Sequence, residues 1–95
     1  MTYAFIQDVP IDAVAYERIR TELGDERPEG MVTHLAIERP EGGLRYIDVW
    51  ESEADWQRFV EERLHPVVHR MLAEVFGENL PEEPALEAIS VLHVW

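Results

Sequence analysis

Cysteine is missing from all 95 residues, and so is lysine. The first absence removes any disulfide framework, thiolate nucleophile or cysteine-held metal. The second leaves eight arginines to face twenty carboxylates, for a formal charge of −12. Nucleic-acid binding needs a basic footprint, and these arginines do not cluster along the sequence. An anionic membrane surface would repel the chain for the same reason. Long apolar runs are missing too. No stretch reaches membrane-spanning length, and the start MTYAFIQDVP has neither the basic flank nor the apolar run of a signal peptide. The expected location is therefore the cytoplasm. There is also no phosphate-cradling glycine-rich loop, serine-centred elbow or nucleotide fingerprint.

What the chain does have is apolar residues, 46% of the total, with three each of Trp, Tyr and Phe. That suffices for a globular core and argues against disorder. Residues 1–95 make one domain. A chain this short has a thin core, which favours association with a second copy.

Tyr3–Asp8 reads as a first strand, stopped by Pro10, which has no N–H to donate. Asp12 is a candidate N-cap for a helix over DAVAYERIRTELG, with Val14 or Ala15, Ile19 and Leu23 on one face and Gly24 as the stop. Met31–Glu38 and Leu44–Glu51 are strands joined by the turn residues RPEGG. Ser52, with Asp55 three residues on, opens a second helix in the manner of a capping box. Trp56, Phe59, Val60, Leu64, Val67, Met71 and Val75 mark its apolar stripe. Pro66 predicts a kink or a brief break within it, and Gly77 ends it. Glu78–Pro84 is an acidic loop and Glu87–Trp95 a last strand. The order β-α-β-β-α-β, with right-handed crossovers, gives an α+β, ferredoxin-like fold: a four-stranded antiparallel sheet with two helices on one face. No strand is cleanly polar on either side, so both sheet faces need cover. The helices cover one, and a second subunit is expected on the other.

Hairpin register decides which residues share a face. With Pro40–Glu41–Gly42 as the loop, His34 lies opposite Asp48, Val32 opposite Trp50 and Ala36 opposite Tyr46. The other face then collects Met31, Thr33, Leu35, Ile37, Ile47 and Val49. This register is preferred because it segregates polar from apolar residues.

Three segments carry a resemblance: PIDAVAYERIRTELG after the first strand, the strand bearing His34, and GGLRYIDVWESEADWQRFVEERLHP. They resemble the dimeric α/β-barrel superfamily, in its branch of antibiotic-biosynthesis-type monooxygenases, and short actinobacterial members of that branch in particular. VWESEADWQRF is the most telling run: a strand ending in Trp that passes through a Ser cap into an aromatic-rich helix. The resemblance spans nearly the whole chain and implies fold more strongly than activity. Superfamily members include cofactor-independent oxygenases, polyketide cyclases, haem-degrading oxygenases, isomerases and proteins without known activity.

His34 with Asp48 is the pair that bears chemistry. A neighbouring carboxylate fixes an imidazole's tautomer and makes it a better general base. Tyr16, Tyr46 and Trp50 are the expected walls of an aromatic pocket around it. In the resembling oxygenases and cyclases the substrate is a flat polyphenolic ring system, deprotonated to an anion that reacts with oxygen unaided or closes a ring. The expectation is thus a homodimeric, cofactor-free monooxygenase or cyclase acting on an aromatic or polyketide-like molecule. A non-catalytic ligand-binding or accessory protein is the competing class, in which His34 and Asp48 are a satisfied buried pair. A deep pocket containing His34 favours the first; a filled core around a fully bonded Asp48 favours the second.

His65 and His69 stand four apart, a spacing that can present two imidazoles to one metal. No third ligand is apparent and Pro66 intervenes, so they read as surface histidines and no metal or cofactor is expected. His69 falls where the resembling haem-degrading enzymes carry their proximal iron ligand. Their Asn and Trp are replaced by Gln7 and Phe59, which makes haem degradation a weak third choice. His93 is expected on the last strand, about 14 Å from His34 for strand order 4-1-3-2. Arg45 and Glu38 are expected to pair across the hairpin.

Overall fold

The computed structural model describes residues 2–77 and 84–95, so most of the acidic loop expected at Glu78–Pro84 lies outside the described residues. The elements are β1 (Tyr3–Val9), α1 (Ala13–Leu23), β2 (Met31–Glu38), β3 (Leu44–Trp50), α2 (Glu53–Phe59), α3 (His65–Phe76) and β4 (Glu87–Ile89). A π-helical turn, Val60–Leu64, joins α2 to α3. The sheet is antiparallel throughout, in the order β2-β3-β1-β4. No helix among the described residues is long and apolar enough to cross a membrane.

Both helix starts follow from their caps. Asp12 Oδ1 accepts the Ala15 N–H at 2.8 Å, and Ser52 Oγ accepts the Asp55 N–H at 3.1 Å. Each bond satisfies an amide that has no partner inside its own helix. Gly24, at φ 85°, closes α1 through its N–H to the Arg20 carbonyl. At the kink or brief break expected around Pro66 the structure has a π turn just before the proline. Proline offers no N–H and crowds the preceding turn, so the ladder widens there, and the His65 N–H reaches the Val60 carbonyl. Pro66 then sits in the first turn of α3, where an N–H would have no helical partner anyway.

Strand alternation sorts the sheet into two faces. Tyr3, Phe5, Tyr46, Asp48 and Trp50 face the helices. There Trp56 of α2 meets Tyr3 and Phe5 at 5.6 and 5.1 Å between ring centroids, and Phe59 meets Trp50 at 5.5 Å. Ile19, Val67 and Met71 bury the contact of α1 with α3. Thr33, Leu35, Ile37, Ile47 and Val49 face the other way, and Leu35 and Ile37 are 51% and 43% exposed.

The hairpin pairs His34 with Asp48 and Ala36 with Tyr46. An irregularity between Met31 and Thr33 then shifts the strand by one residue. Met31, not Val32, lies opposite Trp50, and so Met31 leaves the outer apolar face for the helix side. Two other expectations are corrected. The last strand is only Glu87–Ile89, so His93 lies beyond it, exposed, with its ring 5.5 Å from that of Trp95. Arg45 bonds not to Glu38 but to Asp8 on β1, at 2.7 and 3.1 Å, because it stands directly opposite that residue.

Candidate functional site

Asp48 sits mid-strand on β3 and is 5% exposed. A carboxylate so placed has to have its oxygens satisfied. One accepts from His34 Nδ1 at 2.6 Å and the other from the Trp50 indole N–H at 3.1 Å. On the far side of the imidazole, His34 Nε2 stands 2.8 Å from the Tyr16 hydroxyl. An ionised carboxylate can only accept, so the neutral imidazole carries its hydrogen on Nδ1. Nε2 is left with a lone pair, and the Tyr16 O–H donates to it. Three elements thus contribute to one hydrogen-bonded chain: Tyr16 from α1, His34 from β2, and Asp48 with Trp50 from β3.

The rings reinforce this arrangement. Tyr16 and His34 lie nearly parallel, 6.1 Å apart, and Tyr46 tilts against both at 5.7 and 5.2 Å. Burial pushes the Tyr16 phenol upward in pKa, with Asp48 and Glu17 adding to the effect and Arg20 opposing it. Burial pushes Tyr46 upward further, with Tyr16 and Asp48 contributing in that order. Both phenols therefore hold their protons at neutral pH, and Tyr16 is a donor.

This chain borders a cleft of about 290 Å³ between the sheet and the helices. Tyr16, His34, Tyr46 and Asp48 all line it. Trp50, expected as a wall, is completely buried and supports Asp48 from beneath. Its place as aromatic wall is taken by Phe5, Trp56 and Phe59, with Met31 brought in by the strand irregularity. In the sequence Trp56 and Phe59 belong to a core stripe, and helical spacing is the same whether such a face meets a packed core or an open cleft.

A second cleft of about 210 Å³ shares Gln7, Ile19, Tyr46 and Leu64 with the first, and His65 and His69 border it. Those two imidazoles stack at 5.1 Å at the rim of this second cleft; His69 is exposed, as expected of a surface histidine, and His65 is half-buried. No group of three or more metal-ligating side chains occurs among the described residues. The donor set does not fit haem either. Gln7 donates its amide to the Pro84 carbonyl at 2.9 Å, and Phe59 offers a hydrocarbon ring packed on Trp50.

No protein-family model matches the chain, and no curated protein matches it.

The raised Tyr46 pKa has a definite sign in stability. Below the ordinary tyrosine pKa, near 10, the folded and unfolded chains are both neutral there. Above it the unfolded chain ionises first, so stability falls as pH rises toward the folded-state value. Removing the phenol should flatten that fall. The drop in melting temperature between about pH 9 and pH 11 should be smaller in Tyr46→Phe than in the parent; equal drops would contradict the assignment.

Proposed function

We propose that this chain is a small homodimeric enzyme of the ferredoxin-like, dimeric α/β-barrel kind. It acts as a cofactor-free monooxygenase or cyclase on an aromatic or polyketide-like molecule. The observation that carries the proposal is the Tyr16–His34–Asp48 chain on the wall of an aromatic cleft. His34 is the base and Asp48 orients it. A substrate phenol donating to the Tyr16 oxygen loses its proton by relay: the Tyr16 proton moves to Nε2 as the substrate proton replaces it. Asp48 then stabilises the imidazolium. The resulting electron-rich anion has two outlets. A ring CH₂ can take up O₂, keep one oxygen as a carbonyl and release the other as water; alternatively, the carbanion can close a ring by attack on a carbonyl with loss of water.

Of the two conditions that separate an enzyme from a merely satisfied polar pair, the open cleft beside His34 supports the enzyme. The full bonding of Asp48 is compatible with both. A hydroxylated anthrone, a flat phenol with one reactive CH₂, is the direct probe in an oxygen electrode. Added protein should accelerate oxygen uptake, and a folded His34→Ala variant should abolish that acceleration. Uptake no faster than in buffer would leave the ligand-binding class. A variant destabilised by about 3–5 kcal/mol that still turns over normally would make His34 a structural partner of Asp48 alone.

Support for the dimer comes from the sheet face turned away from the helices. Leu35 and Ile37 are exposed there beside half-buried Ile6 and Ile47, and the terminal segment leaves Leu92 and Trp95 fully exposed. An apolar patch of this kind is covered at low cost by its own copy about a two-fold axis. Light scattering at micromolar concentration should return twice the 11.1 kDa chain mass. A monomer mass would overturn this part of the proposal.

A further inference from the structure

Six of the eight arginines meet a carboxylate at ion-pair distance: Arg18, Arg20, Arg39, Arg45, Arg58 and Arg70. In a chain with twenty carboxylates that is the ordinary outcome. Arg27 and Arg63 are the two exceptions among the described residues, and both line the same cleft as His34. Their hydrogen bonds go to backbone carbonyls. Arg27 donates to those of Met31 and Val32, and Arg63 Nη2 donates to those of Leu23 and Glu26 at 3.1 and 3.0 Å. The Arg63 guanidinium also lies 5.4 Å from the centre of the Phe59 ring, itself a wall of the cleft.

Carbonyl partners hold a guanidinium in place without cancelling its charge. Arg63 meets both carbonyls through one nitrogen, which leaves Nε and Nη1 without a protein hydrogen bond among the described residues. Asp25 and Glu26 also border the cleft, and Glu29, Asp55 and Glu62 border the groove behind the two arginines. None of these acids is at ion-pair distance from Arg27 or Arg63. The arrangement is two carbonyl-held arginines without a carboxylate at ion-pair distance, at one end of a cleft with several aromatic walls, where α1 gives way to β2.

We infer that the ligand of this cleft is a flat aromatic acid, whose carboxylate is held by Arg27 and Arg63 while its hydroxyl faces Tyr16 and His34. This deepens the proposed function and rests on the same cleft being the substrate site. A planar carboxylate matches the guanidinium fork, and a cation fixed beside an aromatic wall loses little freedom on binding it. The net charge of −12 works against any anion at long range, so a preference for the acid has to come from these local cations.

The probe is a fluorescent hydroxynaphthoate with hydroxyl and carboxylate at opposite ends, titrated beside its neutral methyl ester. The acid should bind about tenfold more tightly than the ester, the size of one charge-assisted contact. Arg27→Gln and Arg63→Gln should bring that ratio close to one, whereas Arg70→Gln should retain most of it. Arg70 carries the same charge but pairs with Glu22, away from the cleft. Equal affinity of acid and ester for the parent protein, or no binding of either, would overturn the inference without recourse to any variant. So would an equal loss of preference in Arg70→Gln, which would reduce the effect to overall charge. Binding is read without turnover. An acid preference without oxygen uptake on any phenol would defeat the enzymatic proposal and leave this one standing. Uptake without an acid preference would do the reverse.

Discussion

A carboxylate in the middle of a central strand is expensive to bury, and the arrangement of this molecule around Asp48 follows from that cost. Left unpaired, such a group costs several kcal/mol. Here one oxygen takes the His34 imidazole and the other the Trp50 indole. Trp50 is two residues along the same strand and therefore on the same face. His34 comes within reach only because the β2–β3 register sets it directly opposite Asp48. A slip of one residue would present Thr33 or Leu35 instead and leave one carboxylate oxygen unpaired beneath the helices.

With Asp48 satisfied, the imidazole is locked and its second nitrogen is turned toward α1. Tyr16 meets it there, so the polar chain crosses from the sheet to a helix through a single ring. The same side of the sheet carries Tyr3, Phe5 and Tyr46; Tyr3 and Phe5 pack on Trp56 of α2, while Phe5 and Tyr46 line the cleft. The π turn before Pro66 works at the other side of this layer. Its first residue, Val60, and its fourth, Arg63, both line the cleft. A residue that cannot donate thus follows a widened turn of the C-terminal helical run, and that turn faces the cavity.

Much of the frame was legible in the sequence because it rests on local rules. Asp12 and Ser52 cap the helices they precede, Gly24 and Gly77 end theirs, and the polarity of the hairpin selects the register that joins His34 to Asp48. The misses are non-local. Polarity alone cannot reveal one extra residue in β2, and that residue moved Met31 from the outer face to the cleft. Trp50 looked like a pocket wall because alternation places it beside Asp48; the depth at which it lies depends on Phe59, which covers it. The last strand stopped at Ile89 although the apolar run continues to Trp95, since a strand needs a neighbour to bond as well as a β-forming sequence. The two cleft arginines left no trace in the sequence, because whether an arginine finds a carboxylate is settled by packing between distant segments.

The account turns on the protonation state of His34, which nitrogen NMR of the imidazole ring reads directly. In the neutral ring the His34 signals should show the hydrogen on Nδ1 and an Nε2 that accepts a hydrogen bond. Tyr16→Phe should shift Nε2 while leaving the tautomer unchanged, and Asp48→Asn should remove the preference for Nδ1. A hydrogen on Nε2 in the neutral ring of the parent protein, or indifference of Nε2 to the loss of the Tyr16 hydroxyl, would contradict the chain from Tyr16 to Asp48 and with it the proposed role of His34 as the base.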